Sequence, residues 1–397
     1  MNRIIILLIL TSCIVGFTGC EKTRSIDADV LISDVKLIEK EIDIMNTFSV
    51  PEFIIGRDFN RNEIYVKNNF KSRERIFIQM IDIETGILKK EFTVKRGDFQ
   101  SPTDFYSPSY MEFLDGKYYV VDQMEKIVVF DENFNHLYSN MFHKFRYFVN
   151  FFQSYDRIFL AIGTRLPEIS LIRSQIELYG IENNRKPGFK KSLYEVDIKI
   201  KPGSDSKKRH HFSGVLWAST DGFVKNGNFF YTSMNQNRFY IYGLKTEKIT
   251  AVELSYLTPK TFSREDAARF GFYKSDGWEE KFLKTNKKKI VYIPYPDPVY
   301  HFGIHDVGED KIGIVGDIDL EQMKFRLDII DSNLFTYLES IWFPIGIGFK
   351  TKVSFSNRGF TNNYFDVDKG IYIWQDVEGE NFEYVVKISK FKLKTKK

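Results

Sequence analysis

Apolar and polar positions along this chain fall into a block that recurs. The stretch 115–142, "DGKYYVVDQMEKIVVFDENFNHLYSNMF", reads as turn, strand, turn, strand, turn, strand. Its opening has counterparts in "RNEIYVKN" (61–68), "YDRIFLAIG" (155–163), "NGNFFYTSMNQ" (226–236), "EDKIGIVGD" (309–317) and "DKGIYIWQD" (368–376). Each is a polar turn followed by a short apolar run, the pattern of a strand buried on both faces. A second strand follows most of them and ends at or near an acidic residue or a glycine. Clear cases are "RIFIQMID" (75–82) and "KIVVFD" (126–131); "RFYIYG" (238–243), "FRLDIID" (325–331) and "EYVVKIS" (383–389) match more loosely. A third run alternates and is more polar: "LKKEFTV", "HLYSNMF", "ITAVELSY" and "YLESIWF". Alternation of this kind marks a strand with one wet face. A further short run precedes the block, as in "SYMEFL" before Asp115 and "VYHFGIHDV" before Gly308.

The block is therefore a four-stranded antiparallel meander repeated about six times, at an uneven spacing of roughly 40 to 85 residues. No such sheet buries both faces by itself, so the copies must pack on one another. The pattern predicts an all-β chain, a six-bladed β-propeller of four-stranded antiparallel blades with a small helical insertion. A pair of β-sandwiches or a β-helix would not set apolar strands inside half-polar ones in every copy. The second copy, 108–142, with its "YVVD…KIVVFD" pair, resembles repeats of the NHL-like and TolB-like six-bladed propeller families. Some six-bladed propellers are calcium-dependent lactonases or phosphotriesterases, with Asp, Glu and Asn side chains meeting in a central channel. Under that resemblance the candidates are Asp122, Asn235, Asp317 and Asp376, which recur just after the apolar strands. The competing reading is that such residues end strands by bonding the turn backbone.

The last copy, ending "EYVVKISKFKLKTKK", leaves little room for an outer strand, while "VKLIEKEIDI" (35–44) has no copy of its own. The N-terminal strand is expected to pair into the last blade and fasten the ring; an exposed arm is the alternative. Two stretches are too long to be turns. One, near 164–211, ends in "KKRHH" between Gly, Ser and Asp residues. The other, near 257–298, holds "TFSREDAARFGFYKSDGWEEKFLKTNKKK", a helical signal with Ser263 as N-cap and acidic residues behind it. Loops on a rigid scaffold concentrate binding residues. Candidate binding residues are therefore Phe262, Phe272 and Trp278 in the helical insertion, and Lys208, Arg209 and His210 in the basic loop. The plain counterparts are a helix that covers a sheet edge and a solvated loop.

The first twenty residues are a different material. "MNRIIILLILTSCIVGFTGC" has Arg3, an apolar run from Ile4 to Val15, and small residues before Cys20, the layout of an export signal. The run is shorter than the roughly 20 residues that span a bilayer. "FTGC" resembles the lipobox of bacterial lipoproteins, with Phe17 in place of the usual aliphatic residue, and that resemblance implies lipidation of Cys20. The expected division is a signal at 1–20, a tether at 21–34 and the propeller at 35–397. The chain has two cysteines. Cys13 would leave with the signal and Cys20 would carry lipid, so the body would hold no disulfide, thiolate ligand or Cys nucleophile.

Composition adds to this without redirecting it. Aromatic residues make up 16%, with 38 Phe and 22 Tyr, which favours half-buried pleated surfaces. Fifty-seven basic residues against 53 acidic ones leave a net charge of +4, too even to point to nucleic acid. The Lys-rich end, 390–397, reads as a solvated tail. His301 and His305 in "HFGIH" would share a metal on a helix, but in a strand they lie about 13 Å apart. No nucleophile elbow or phosphate-cradling loop occurs; "PIGIGF" (344–349) lacks the strand-to-helix setting. No cofactor is expected. The chain reads as an exported, lipid-anchored envelope scaffold, periplasmic or at the cell surface, that binds a protein, peptide or glycan. A calcium-dependent hydrolase or lactonase with its site in the channel is the alternative.

Overall fold

The computed structural model describes residues 30–32, 39–40, 42–51, 53–58, 60–68, 74–97, 101–122, 126–141, 146–154, 157–167, 171–181, 188–199, 210–213, 220–233, 236–260, 289–292, 300–308, 310–319, 321–322, 324–344, 364–366, 370–378 and 384–393. Every regular element among them is a strand. The helix expected from Ser263 onward lies outside the described residues.

Three strands open the chain: β1 (Val30–Ile32), β2 (Glu39–Lys40) and β3 (Ile42–Pro51). Antiparallel units follow. The first is β4 (Phe53–Asp58), β5 (Glu63–Asn68), β6 (Arg75–Asp82) and β7 (Leu88–Lys95). The second is β8 (Pro108–Leu114), β9 (Lys117–Asp122), β10 (Lys126–Asp131) and β11 (His136–Met141). The third is β12 (Arg146–Ser154), β13 (Arg157–Pro167), β14 (Leu171–Ile181) and β15 (Gly188–Lys199). A short strand, β16 (His210–Ser213), precedes the fourth: β17 (Thr220–Lys225), β18 (Asn228–Ser233), β19 (Arg238–Gly243) and β20 (Ile249–Leu254). After β21 (Lys289–Tyr292) comes the fifth: β22 (Ile304–Asp306), β23 (Lys311–Asp319), β24 (Lys324–Asp331) and β25 (Tyr337–Pro344). The sixth has β26 (Tyr364–Asp366), β27 (Gly370–Glu378) and β28 (Tyr384–Leu393), and β3 completes it as its outer strand.

An N-terminal strand thus joins the last unit, but it spans 42–51 and shares only 42–44 with the expected 35–44, of which Glu39 and Lys40 pair with β25 of the fifth unit instead. Of the Lys-rich end, residues 390–393 are strand, with Lys390 paired to Asn46 and Lys392 to Asp43. Of the stretch 164–211, residues 164–167, 171–181 and 188–199 belong to β13, β14 and β15 of the third unit. β1 and β2 lie parallel to the outer strands β20 and β25, so the start of the chain covers two further sheet edges.

Period-two alternation explains how the units pack. On β9 and β10, Tyr118, Val120, Val128 and Phe130 join one cluster with Tyr65, Ile78 and Met80 of the first unit. Their neighbours Tyr119, Val121, Ile127 and Val129 join another with Phe151, Ile158 and Tyr179 of the third. On β18, Phe229 and Tyr231 face the third unit, while Phe230 joins the fifth unit's Ile304, Ile312 and Ile314. Both faces of these strands are dry, and each fully buried large side chain contributes about 1.5–3 kcal/mol. The first strands of successive units touch in chain order, and the sixth unit touches the first through β28 against β4 and β3 against β5.

The turns follow from the sequence. Asp115–Gly116 and Asn226–Gly227 have positive φ at both positions, as a two-residue hairpin between right-twisted strands requires. Where an aspartate ends the second apolar run, in the first, second and fifth units, it closes the next turn with its carboxylate. Asp82 Oδ1 accepts from the amides of Glu84 and Thr85, Asp131 Oδ1 from Asn133 and Asn135, and Asp331 Oδ1 from Asn333 and Leu334. Antiparallel order places the first–second and third–fourth turns of every unit on one face, here the turn face. The amide of Ile83 accordingly donates to Asn62 O, and that of Leu244 to Gly227 O. Second–third loops and inter-unit links lie on the opposite, link face.

Candidate functional site

Two places combine polar chemistry with the architecture. The first is where the first strands meet. On β8, Tyr110 and Glu112 share a face, and Tyr110 Oη donates to Glu112 Oε2 at 2.6 Å. Glu112 keeps partial solvent exposure although protein surrounds it. Loss of solvation dominates and pushes its carboxyl up to about 7, against the opposing pull of the Tyr110 bond and the Arg57 charge. Arg57 of β4 also bears on His305 of β22, whose pKa falls to about 3, chiefly by burial and then by the Arg57 and His301 charges. His305 is therefore neutral across the physiological range. The β4, β8 and β22 contributions come from three different units.

His301 is a structural tie. The amide of Gly303 donates to its Nδ1 at 3.3 Å, which leaves Nε2 as the donor to Thr232 Oγ1 at 2.9 Å. The bond from His301 joins the fourth and fifth units, and the Thr232 hydroxyl donates its own hydrogen bond to Arg238 O at 2.8 Å. Among the described residues no group of three or more His, Cys, Asp or Glu could hold a metal ion. Asp122, fully buried, accepts from the amides of Tyr106 (2.8 Å) and Ser107 (2.6 Å). Lys126, equally buried, stands 3.6 Å from Asp122 and donates to Ser101 O and Asp104 O. Asp317 pairs with Lys260 and with Arg326. These two acids serve the scaffold. Asn235 lies outside the described residues, and Asp376 pairs its backbone with Val386 in β27.

The second place lies outside the repeat. Each of the two stretches that interrupt the repeat follows an outer strand, β15 or β20, that ends on the link face. They meet: β16 runs parallel to β21 with His210 opposite Lys289 and Ser213 opposite Tyr292. Two insertions from either side of the fourth unit thus form one added layer. His210 opens β16; Lys208, Arg209, Phe262, Phe272 and Trp278 lie outside the described residues, as does Cys20. Sequence reasoning missed Arg57, Tyr110 and Glu112. The available signal was a lone acid at an alternating position of "SYMEFL".

No protein-family model matches the chain, and no curated protein matches it. Solved structures do. A Bacteroides fragilis NCTC 9343 protein provisionally described as exported is similar at 10% identity and a TM-score of 0.42, covering 92% of this chain and 99% of its own. BamB from Moraxella catarrhalis is similar at 9% identity and a TM-score of 0.33, covering 85% and 86%. A chain of a nidogen/laminin complex is similar at 10% identity and a TM-score of 0.38, covering 73% and 80%.

Proposed function

We propose that this chain is a lipid-anchored envelope protein whose units close into a six-bladed β-propeller, and whose link face holds a protein, peptide or glycan. The observation that carries the binding role is the pairing of β16 with β21. It builds a platform outside the repeat that closure of the ring does not need. Closure is supported by the contacts of β28 with β4 and by β3 completing the sixth unit. The anchor is supported by "FTGC" and by the lack of any cysteine after Cys20. Purification from detergent-solubilised membranes tests the role. The full chain should retain a defined partner, and a variant with 262–288 replaced by a short Gly/Ser link should lose it while keeping its thermal midpoint. Equal recovery with both chains would sink the reading.

One observation favours a second reading, hydrolysis within the channel. Glu112 titrates near neutrality beside Tyr110 and Arg57, as a general base or acid must. Turnover of a simple ester or lactone that vanishes in Glu112→Gln would establish it; equal turnover in both proteins would remove it.

A further inference from the structure

Large apolar side chains at the surface are distributed unevenly over the two faces. Of the eight exposed ones among the described residues, Ile87, Leu88, Leu137, Phe189, Leu334 and Leu338 all sit in third–fourth turns or at the first residues of the strands that follow. Ile87 is 64% exposed, Phe189 57% and Leu334 72%. They belong to the first, second, third and fifth units, yet antiparallel order puts every one on the turn face. An exposed apolar residue is ordinary when single; the same turn of the repeat carrying them in four units forms a set.

What covers that set is indicated by the start of the chain. β1 runs parallel to β20, with Val30 opposite Val252 and Ile32 opposite Leu254. β20 rises from the turn face toward the link face, so β1 does too. Val30, the first described residue, consequently stands at the turn-face end of β1. Between Cys20 and Val30 lie nine residues, 21–29. Fully extended they reach roughly 30 Å.

We infer that the turn face is a membrane-contacting surface, with its apolar tips seated among the phospholipid headgroups of the bilayer that holds Cys20. The inference rests on the proposed lipidation of Cys20 and adds an orientation to it. A short tether leaving from this face brings the tips to the bilayer, where apolar side chains on an otherwise polar surface gain by entering the interface. Charge contributes little, because Lys89, Lys90, Lys190, Lys191, Lys245 and Lys248 are offset by Asp82, Glu84, Asp131, Glu132, Glu247 and Asp331 around the same turns. The link face, with its β16–β21 layer, then points away from the membrane.

The lack of other cysteines after Cys20 makes the test direct. Ile87→Cys and Leu334→Cys on the turn face, and Tyr106→Cys on the link side of the first inter-unit connection, are each labelled with an environment-sensitive dye. The full-length lipidated protein is reconstituted into phosphatidylethanolamine/phosphatidylglycerol vesicles and titrated with iodide. The expected result is that both turn-face labels are quenched about threefold or more weakly than the Tyr106 label, as interfacial burial requires. Equal quenching at all three, or a shielded Tyr106 label, overturns the orientation while leaving the anchor intact. A mass for the N-terminal peptide showing Cys20 unmodified overturns the anchor and the orientation together. Using two turn-face sites guards against a local disturbance at either.

Discussion

Phe134 holds a left-handed backbone conformation, φ 66°, that costs a non-glycine residue about 1–2 kcal/mol. Its ring offsets that cost by stacking on Phe92 at 3.9 Å and on Phe130 at 4.2 Å between centroids. Such pairs contribute about 0.5–1.5 kcal/mol each beyond burial. Glycine should therefore be the milder replacement. Phe134→Ala, which loses the rings and keeps the strain, should be less stable than Phe134→Gly by about 1 kcal/mol in urea unfolding; the reverse order would disprove this account. Glu112 gives a pH prediction. Its folded pKa, about 7, lies above the ordinary carboxylate value of 4.5. Between those values the folded chain keeps a proton that the unfolded chain releases, so stability falls as pH rises through that window. Glu112→Gln removes this slope and should gain on the parent in thermal midpoint from pH 5 to 8. Parallel midpoint curves would refute it. The acids at strand ends, such as Asp82 and Asp331, were legible because an aspartate after an apolar run closes a turn wherever it occurs. Glu112 was not, since one acid in an apolar strand carries no sign of what its side chain will meet.

At the level of elements, legibility followed burial. β6, β10 and β19 match the sequence expectation residue for residue because both of their faces are dry. The third unit was harder: β13, β14 and β15 run 11, 11 and 12 residues and carry polar positions that broke the apolar signal. Short first strands such as β22, of three residues, gave almost none. The link between the first and second units shows how an irregular element is fixed without a ladder. Asp122 at the end of β9 and Lys126 at the start of β10 grip residues 101–107 from one side. Lys126→Met leaves the Asp122 carboxylate buried without its cation. We expect about 3–5 kcal/mol of destabilisation by chemical denaturation. A loss below about 1 kcal/mol would mean that the two amide bonds suffice.

For the whole molecule the decisive strand is β3, of which the sequence reading held only residues 42–44, at the end of a strand left without partners. Its register with β28 could not be read, because both carry alternating patterns that fit at more than one offset. Removing residues 30–51 would strip the edges of β20, β25 and β28 at once. The truncated chain should melt about 10 °C or more below the parent and associate in size-exclusion runs. A monomer with an unchanged midpoint would show that these three edges need no cover.

One joint in the molecule differs in kind from the rest. The first two units merge into a single eight-stranded sheet through the parallel pair Gly56–Met111, at a place where any side chain on residue 56 would collide with the Met111 carbonyl. No other pair of neighbouring units among the described residues shares a ladder. Under load or heat the structure should therefore yield elsewhere first, and amides of β4 and β8 should be among the last to exchange their hydrogens with solvent. The earliest part of the body to emerge in synthesis is then also its most durable, a seed on which later sheets are laid.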